Sequence, residues 1–125
     1  MTLDKFVTPT GIQPPGTDLT YKIILSNIGT GAAQLLIISD PIPPNTDFKI
    51  GSEFINPATT GVTFIVEFSN DGGTTWAYTP VSAGGGASSG YDRNVTNIRW
   101  RASVGNLSPT APNNVADIGF TSKIQ

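Results

Sequence analysis

Hydrophobic residues recur at every second position along most of this chain, the spacing of strands with one buried face, and no stretch has a helical period. Leu3–Val7 predicts a short first strand, followed over residues 8–16 by the stiff Pro/Gly linker TPTGIQPPG. In DLTYKIILSN, Leu19, Tyr21, Ile23 and Leu25 fall on one face, and Thr20, Lys22 and Ser26 on the other. NIGTGA is expected to turn, with Gly29 and Gly31 free to take positive φ. AQLLIIS reads as a strand apolar on both sides, and DPIPP is expected to end it sharply because proline cannot continue a ladder. VTFIVEFS alternates strictly, with Val62, Phe64, Val66 and Phe68 opposed to Thr63 and Glu67. TWAYTP has strand periodicity, while the low-complexity SAGGGASSG is expected to be a mobile loop. VTNIRWRASV sets Ile98, Trp100, Ala102 and Val104 against Arg99, Arg101 and Ser103, and ADIGFTSKI sets Ile118, Phe120 and Ile124 against Asp117, Thr121 and Lys123.

Seven strands result, with an eighth over Thr46–Ile50, separated by Gly, Pro and Asn. One polar and one apolar face per strand describes two antiparallel sheets packed face to face. The expected fold is all-β, an immunoglobulin-like sandwich of 7–8 antiparallel strands, with a small barrel as the other solution. The length fits one domain, residues 1–125, with the strand 1–7 and linker 8–16 preceding a sandwich body over 17–125.

The octet SNDGGTTW, residues 69–76, has the spacing Ser-x-Asp-x-Gly-x-Thr-Trp and resembles the Asp-box of sialidases and other β-propeller proteins. Flanked by two runs of strand period, it reads as a hairpin connection with Ser69, Asp71, Gly73, Thr75 and Trp76 as its turn residues. Asp71 is expected to accept bonds from following amides, Gly72 and Gly73 to take positive φ, and the Trp76 indole to fold over the turn.

Charge and composition remove several function classes. Charged residues make up only 13% of the chain and the net charge is −2, so no phosphate-binding stripe is present and nucleic acid is not an expected partner. Cys and His are both absent, which removes disulfides, the usual zinc ligands and His- or Cys-based catalysis. No apolar run is long enough to insert into a membrane, and MTLDKFVTP is not a signal peptide. The chain is therefore expected to be a mature or excised form, or one that stays in the cytoplasm.

Catalytic candidates are thin. A glycosidase needs two carboxylates facing each other across a cleft, and the spacing of Asp40, Asp71 and Asp92 creates no such pair. Asp40, before Pro41, reads as a turn cap. Asn70, Asp71 and Asp92 offer oxygens to calcium but lack a repeating Asp-x-Asp loop, so ordinary turn roles are the expected reading. Trp100, in phase with Ile98 and Ala102, is a core residue; Trp76 and Tyr78 could stack on a sugar. Asn94-Val-Thr96 and Asn106-Leu-Ser108 fit the glycosylation acceptor pattern. No enzyme, cofactor or metal is expected.

The segment from Leu3 to Phe48 resembles the opening of the domain-of-unknown-function eleven family, a repeat of bacterial and archaeal surface proteins. The residues that carry the resemblance are Lys5, Pro15-Gly16, Thr20-Tyr21, Asn27-x-Gly29, the Ala33 strand and Asp40-x-x-Pro43, with Val95–Trp100 and the closing strand also similar. The resemblance implies an extracellular immunoglobulin-like module without catalytic activity, of a kind usually found in tandem arrays. This chain holds one copy, cut from an array or assembling by itself. Members often carry a polar residue where Leu35 stands.

Outward-facing aliphatics at Ile24, Leu35 and Ile37 are expected either to be covered by a loop or to form a docking patch. The first strand, with Leu3, Phe6 and Val7, either folds onto its own sheet or completes that of a neighbour, as unpaired edges invite. The functional expectation is a non-enzymatic surface protein whose partners are copies of itself, joined by strand complementation into a filament. The alternatives are a spacer repeat of a larger adhesin and a small carbohydrate-binding module.

Overall fold

The computed structural model describes residues 1–34, 36–56 and 61–125. It is all-β: nine strands among the described residues, every pairing between them antiparallel, in two sheets. They are β1 (Thr2–Thr8), β2 (Asp18–Ser26), β3 (Ile37–Pro41), β4 (Thr46–Lys49), β5 (Phe54–Asn56), β6 (Thr63–Ser69), β7 (Tyr91–Asp92), β8 (Asn97–Val104) and β9 (Val115–Ile124). The larger sheet runs β1-β2-β9-β4-β7, with β5 also paired to β9; the smaller runs β3-β8-β6.

Alternation sends one side of each sheet inward. Ile23, Leu25, Phe48, Ala116, Ile118 and Phe120 from the large sheet meet Ile38, Phe64, Ile98 and Trp100 from the small one, all buried. Trp100, Phe120 and Phe48 are fully buried in the middle, with the Tyr21 ring stacked 5.2 Å from that of Phe120. Each large side chain in this layer contributes about 1.5–3 kcal/mol of burial, so the layer carries most of the stability.

Several local expectations change. The strand expected over AQLLIIS begins only at Ile37; upstream, Ala33 makes an isolated bridge to Leu107. Leu35 lies outside the described residues. DPIPP ends the strand as expected: β3 closes on Pro41, which the ladder tolerates because β3 is an edge strand and needs no bond from that nitrogen. The turn after β2 does not use positive φ at Gly29 or Gly31. The buried Asn27 side chain closes it instead, donating to Gly31 O and Leu107 O and accepting from Gly29 N.

TWAYTP forms no strand and touches β6 through one bridge, Tyr78 to Phe68. SAGGGASSG, expected to be mobile, is a series of tight turns tied to β7 by Ala83 N to Tyr91 O and to the residue after β7 by Arg93 N to Gly84 O. Its anchor is Asp92, a fully buried carboxylate that accepts from Tyr78 Oη, Val81 N and Asn94 N.

Candidate functional site

β1 lies at the edge of the large sheet, paired along its whole length with β2 from Thr2↔Ser26 to Thr8↔Thr20. Its inward positions are Leu3, Lys5 and Val7, opposite Leu25, Ile23 and Tyr21; its outward ones include Asp4 and Phe6. The smaller sheet barely reaches over it. Leu3 stays 56% exposed and Phe6 53%, and only Val7 is half-buried. The strand is held mainly by its backbone ladder, with little apolar burial.

One side chain departs from that description. Lys5 faces inward and its Nζ donates to both oxygens of Asp40, at 2.8 and 2.7 Å, across the gap between the sheets. Asp40 is 7% exposed, while Lys5 keeps its stem against the Tyr21 ring, with Nζ 5.1 Å from the centroid, and its head near solvent. Burial, and then the Asp40 charge, raise the Tyr21 phenol above its ordinary value. Asp40 is thus a strand residue that receives Lys5, not the turn cap expected from Asp-Pro. Sequence reasoning missed this pair. The available signal was phase: Lys5 alternates with Leu3 and Val7, and Asp40 with Leu36 and Ile38, so both charges occupy inward positions that demand a partner.

Beyond β1, the linker makes local bonds, Gln13 Nε2 to Thr10 O and Thr17 Oγ1 to Pro14 O, before Gly16 N docks on Ile124 O. Ile12 in its middle is fully exposed.

The predicted contact residues separate into three groups. Leu3 and Val7 line the inward side of β1; Phe6 and Ile24 share the outer face of the large sheet, where Ile24 stands opposite Asp4 and Asp117. Ile37, 55% exposed, lies on the outer face of the small sheet, across Arg101 from the exposed Ile65. Ile24 and Ile37 therefore belong to opposite faces of the sandwich and do not form one patch, because β2 and β3 are in different sheets.

The octet forms a braced turn. Ser69 Oγ donates to Asp71 Oδ1 at 2.6 Å and accepts from Gly73 N; Asp71 accepts from Thr75 N and Thr75 Oγ1. These bonds, the one from Ser69 first, lower the Asp71 carboxyl to about 2. Gly72 and Gly73 take φ of 75° and 89°, and the Trp76 ring sits over Gly73. The other partner of that ring is Arg99, whose guanidinium carbon lies 4.5 Å from the ring centroid. Arg99 and Arg101 both donate to Glu67, and the bond from Arg101 leads in lowering its carboxyl.

Beside β6, Trp76, Ala77, Tyr78 and Pro80 line a shallow groove of about 320 Å³. The Tyr78 hydroxyl there is committed to Asp92. Among the described residues, no three His, Cys, Asp or Glu side chains are grouped to hold a metal ion, and no helix is long and apolar enough to cross a membrane. Compared with protein-family models, with curated proteins and with solved structures, the chain finds no match.

Proposed function

We propose that this chain is a non-enzymatic structural module that joins copies of itself by exchange of β1, building a fibre on a cell surface. The observation that carries the reading is the state of β1: a seven-residue edge strand with a complete backbone ladder and almost no buried side chain. Leaving its own β2 forfeits little apolar burial, and taking the same place on a neighbour's β2 restores every hydrogen bond. Exchange of an identical element is a low-cost route between subunits for that reason. The Pro/Gly linker has few ties to the body and tends to extended backbone, which lowers the cost of ordering the strand. The surface setting and the immunoglobulin-like class rest on the sequence resemblance.

A second reading, one spacer repeat of a longer surface protein, is favoured by the placement of the two ends. β1 and β9 run in the same direction on either side of β2, so residue 1 lies by Ser26 and residue 125 at the opposite end, where Gln125 N bonds Asn45 O. Copies joined through these ends would form a straight stalk.

Electron microscopy and light scattering of the isolated chain separate the two. Exchange predicts concentration-dependent fibres that disappear when residues 2–7 are deleted, leaving a soluble and less stable body. A strictly monomeric chain at high concentration contradicts exchange and favours the stalk.

A further inference from the structure

Resting on β1 exchange as the mode of assembly, we propose that Asp40 is the selectivity element of the acceptor groove: it admits only a strand that presents a cation at its inward central position, which among copies of this chain is Lys5. The partner is a second copy of the chain, and the Lys5–Asp40 pair fixes both its identity and its register.

A strand with exposed side chains is weakly specified in register, because slipping by two residues preserves its inward-outward alternation. Within one chain, the linker between Thr8 and Thr17 limits slippage by closing the loop. Between chains an extended linker blocks slippage only in the direction that would lengthen it, and the inward positions must specify the pairing in the other. Leu3 is more than half exposed and fills no pocket, so it discriminates poorly. Asp40 is different: it is buried, and both oxygens are taken by the one ammonium that β1 supplies. Slippage by two residues would set Leu3 or Val7 opposite it and leave a buried carboxylate without a counter-charge, which is far costlier than losing an exposed pair.

Among the described residues, Lys5 is the cation paired with Asp40, and the neighbours offer no ready substitute. Tyr21, which also faces Asp40, is a neutral phenol with its ionisation pushed further up, and the nearby Lys22 points to the outer face, where it pairs with Asp117 at 3.5 Å. The acceptor is thus a backbone edge that any strand can satisfy, combined with one buried charge that most strands cannot. Pairing of this kind gives specificity through the penalty on wrong partners.

Charge reversal tests this with an outcome only a pair between chains can produce. Lys5→Asp and Asp40→Lys are made in separate full-length chains, and assembly of each, of their equimolar mixture and of the double variant is followed by light scattering and microscopy. Each single variant should assemble more than about tenfold less than the parent, since a homopolymer would juxtapose like charges. The mixture should recover, because its two alternating contacts are both matched. The Lys5→Asp strand enters the Asp40→Lys groove with the charges reversed, and the Asp40→Lys chain offers its native Lys5 to the native Asp40 of the other. The double variant should recover alone. Should a reversed chain fail to fold, judged by tryptophan fluorescence, the neutral set serves. There, Lys5→Gln should impair assembly, and adding Asp40→Asn should restore part of it.

If the parent assembles and the single variants assemble equally well, selection by Asp40 is overturned and β1 exchange stands; if mixing restores nothing while the double variant does, the pair forms within one chain and β1 exchange is overturned together with this inference. In the neutral set, simple additivity overturns selection by Asp40 likewise. If the parent does not assemble at all, β1 exchange itself fails, and this inference with it.

Discussion

Asp71 and Asp92 show how much a single carboxylate organises in a domain with few charges. Asp71 is held at about 2 by bonds from Ser69 and Thr75. Because the folded value is depressed from an ordinary value near 4, the contribution of this group to stability is present above about pH 4 and lost as pH falls through about 2. NMR titration should place the Asp71 midpoint near 2, and Asp71→Asn should remove that part of the acid dependence; a midpoint near 4 contradicts the bracing. Asp92 is fully buried with three donors, so Asp92→Ala strands them and should cost about 2–4 kcal/mol in urea unfolding. Tyr78→Phe, which removes one donor, should cost about 1 kcal/mol. The Asp71 turn was legible in the sequence because its bonds are local, all between Ser69 and Thr75. The Asp92 anchor was not: its role depends on bonds from Tyr78 and Val81 across a Gly-rich run whose composition alone suggests disorder.

Strand identity was the most readable property of the chain, since the two-residue period fixes which side of each long strand is buried. Trp100, Ile98, Ile118 and Phe120 are buried where the pattern puts them. The short strands β5 and β7 escaped because three and two residues carry no period. β5 exists through a contact the sequence does not advertise: Phe54 lies across Gly119 of β9, where a side chain would strike both that ring and Tyr21 O. Gly119→Ala should therefore destabilise the domain by about 1–3 kcal/mol, measured by the shift in the urea midpoint, whereas Gly31→Ala, with open space around it and no positive φ, should cost little. A neutral Gly119→Ala would mean that β5 is not packed against β9.

At the scale of the molecule, direction constrains assembly. Thr8 lies by Thr20, and the linker rejoins the body beside Ile124, so both ends of the linker are at the same end of the sandwich. An exchanged strand keeps Thr8 at that end of the acceptor. Two subunits can satisfy this reciprocally, as a closed two-fold pair with the linkers short. An open fibre of like-oriented subunits needs the linker to run the length of a body. The steps from Thr8 to Thr17 reach about 30 Å when extended, and the nine-residue β2 spans about 30 Å as well. The linker is therefore just long enough, and deleting Ile12–Pro14 should convert fibres into dimers and monomers, visible by light scattering. Fibres that persist would require a different relation between subunits.

The absence of cysteine from the chain permits a direct test of exchange. Phe6 and Lys22 are opposite each other on the exposed outer face of β1 and β2, near enough for a disulfide after mild adjustment. In the Phe6→Cys/Lys22→Cys chain, oxidation of assembled material and non-reducing electrophoresis report whether the paired strands belong to one chain or two. Exchange predicts a covalent ladder that extends beyond dimers and collapses to monomer on reduction. Internally cross-linked monomer alone, from material that microscopy shows to be assembled, would contradict it.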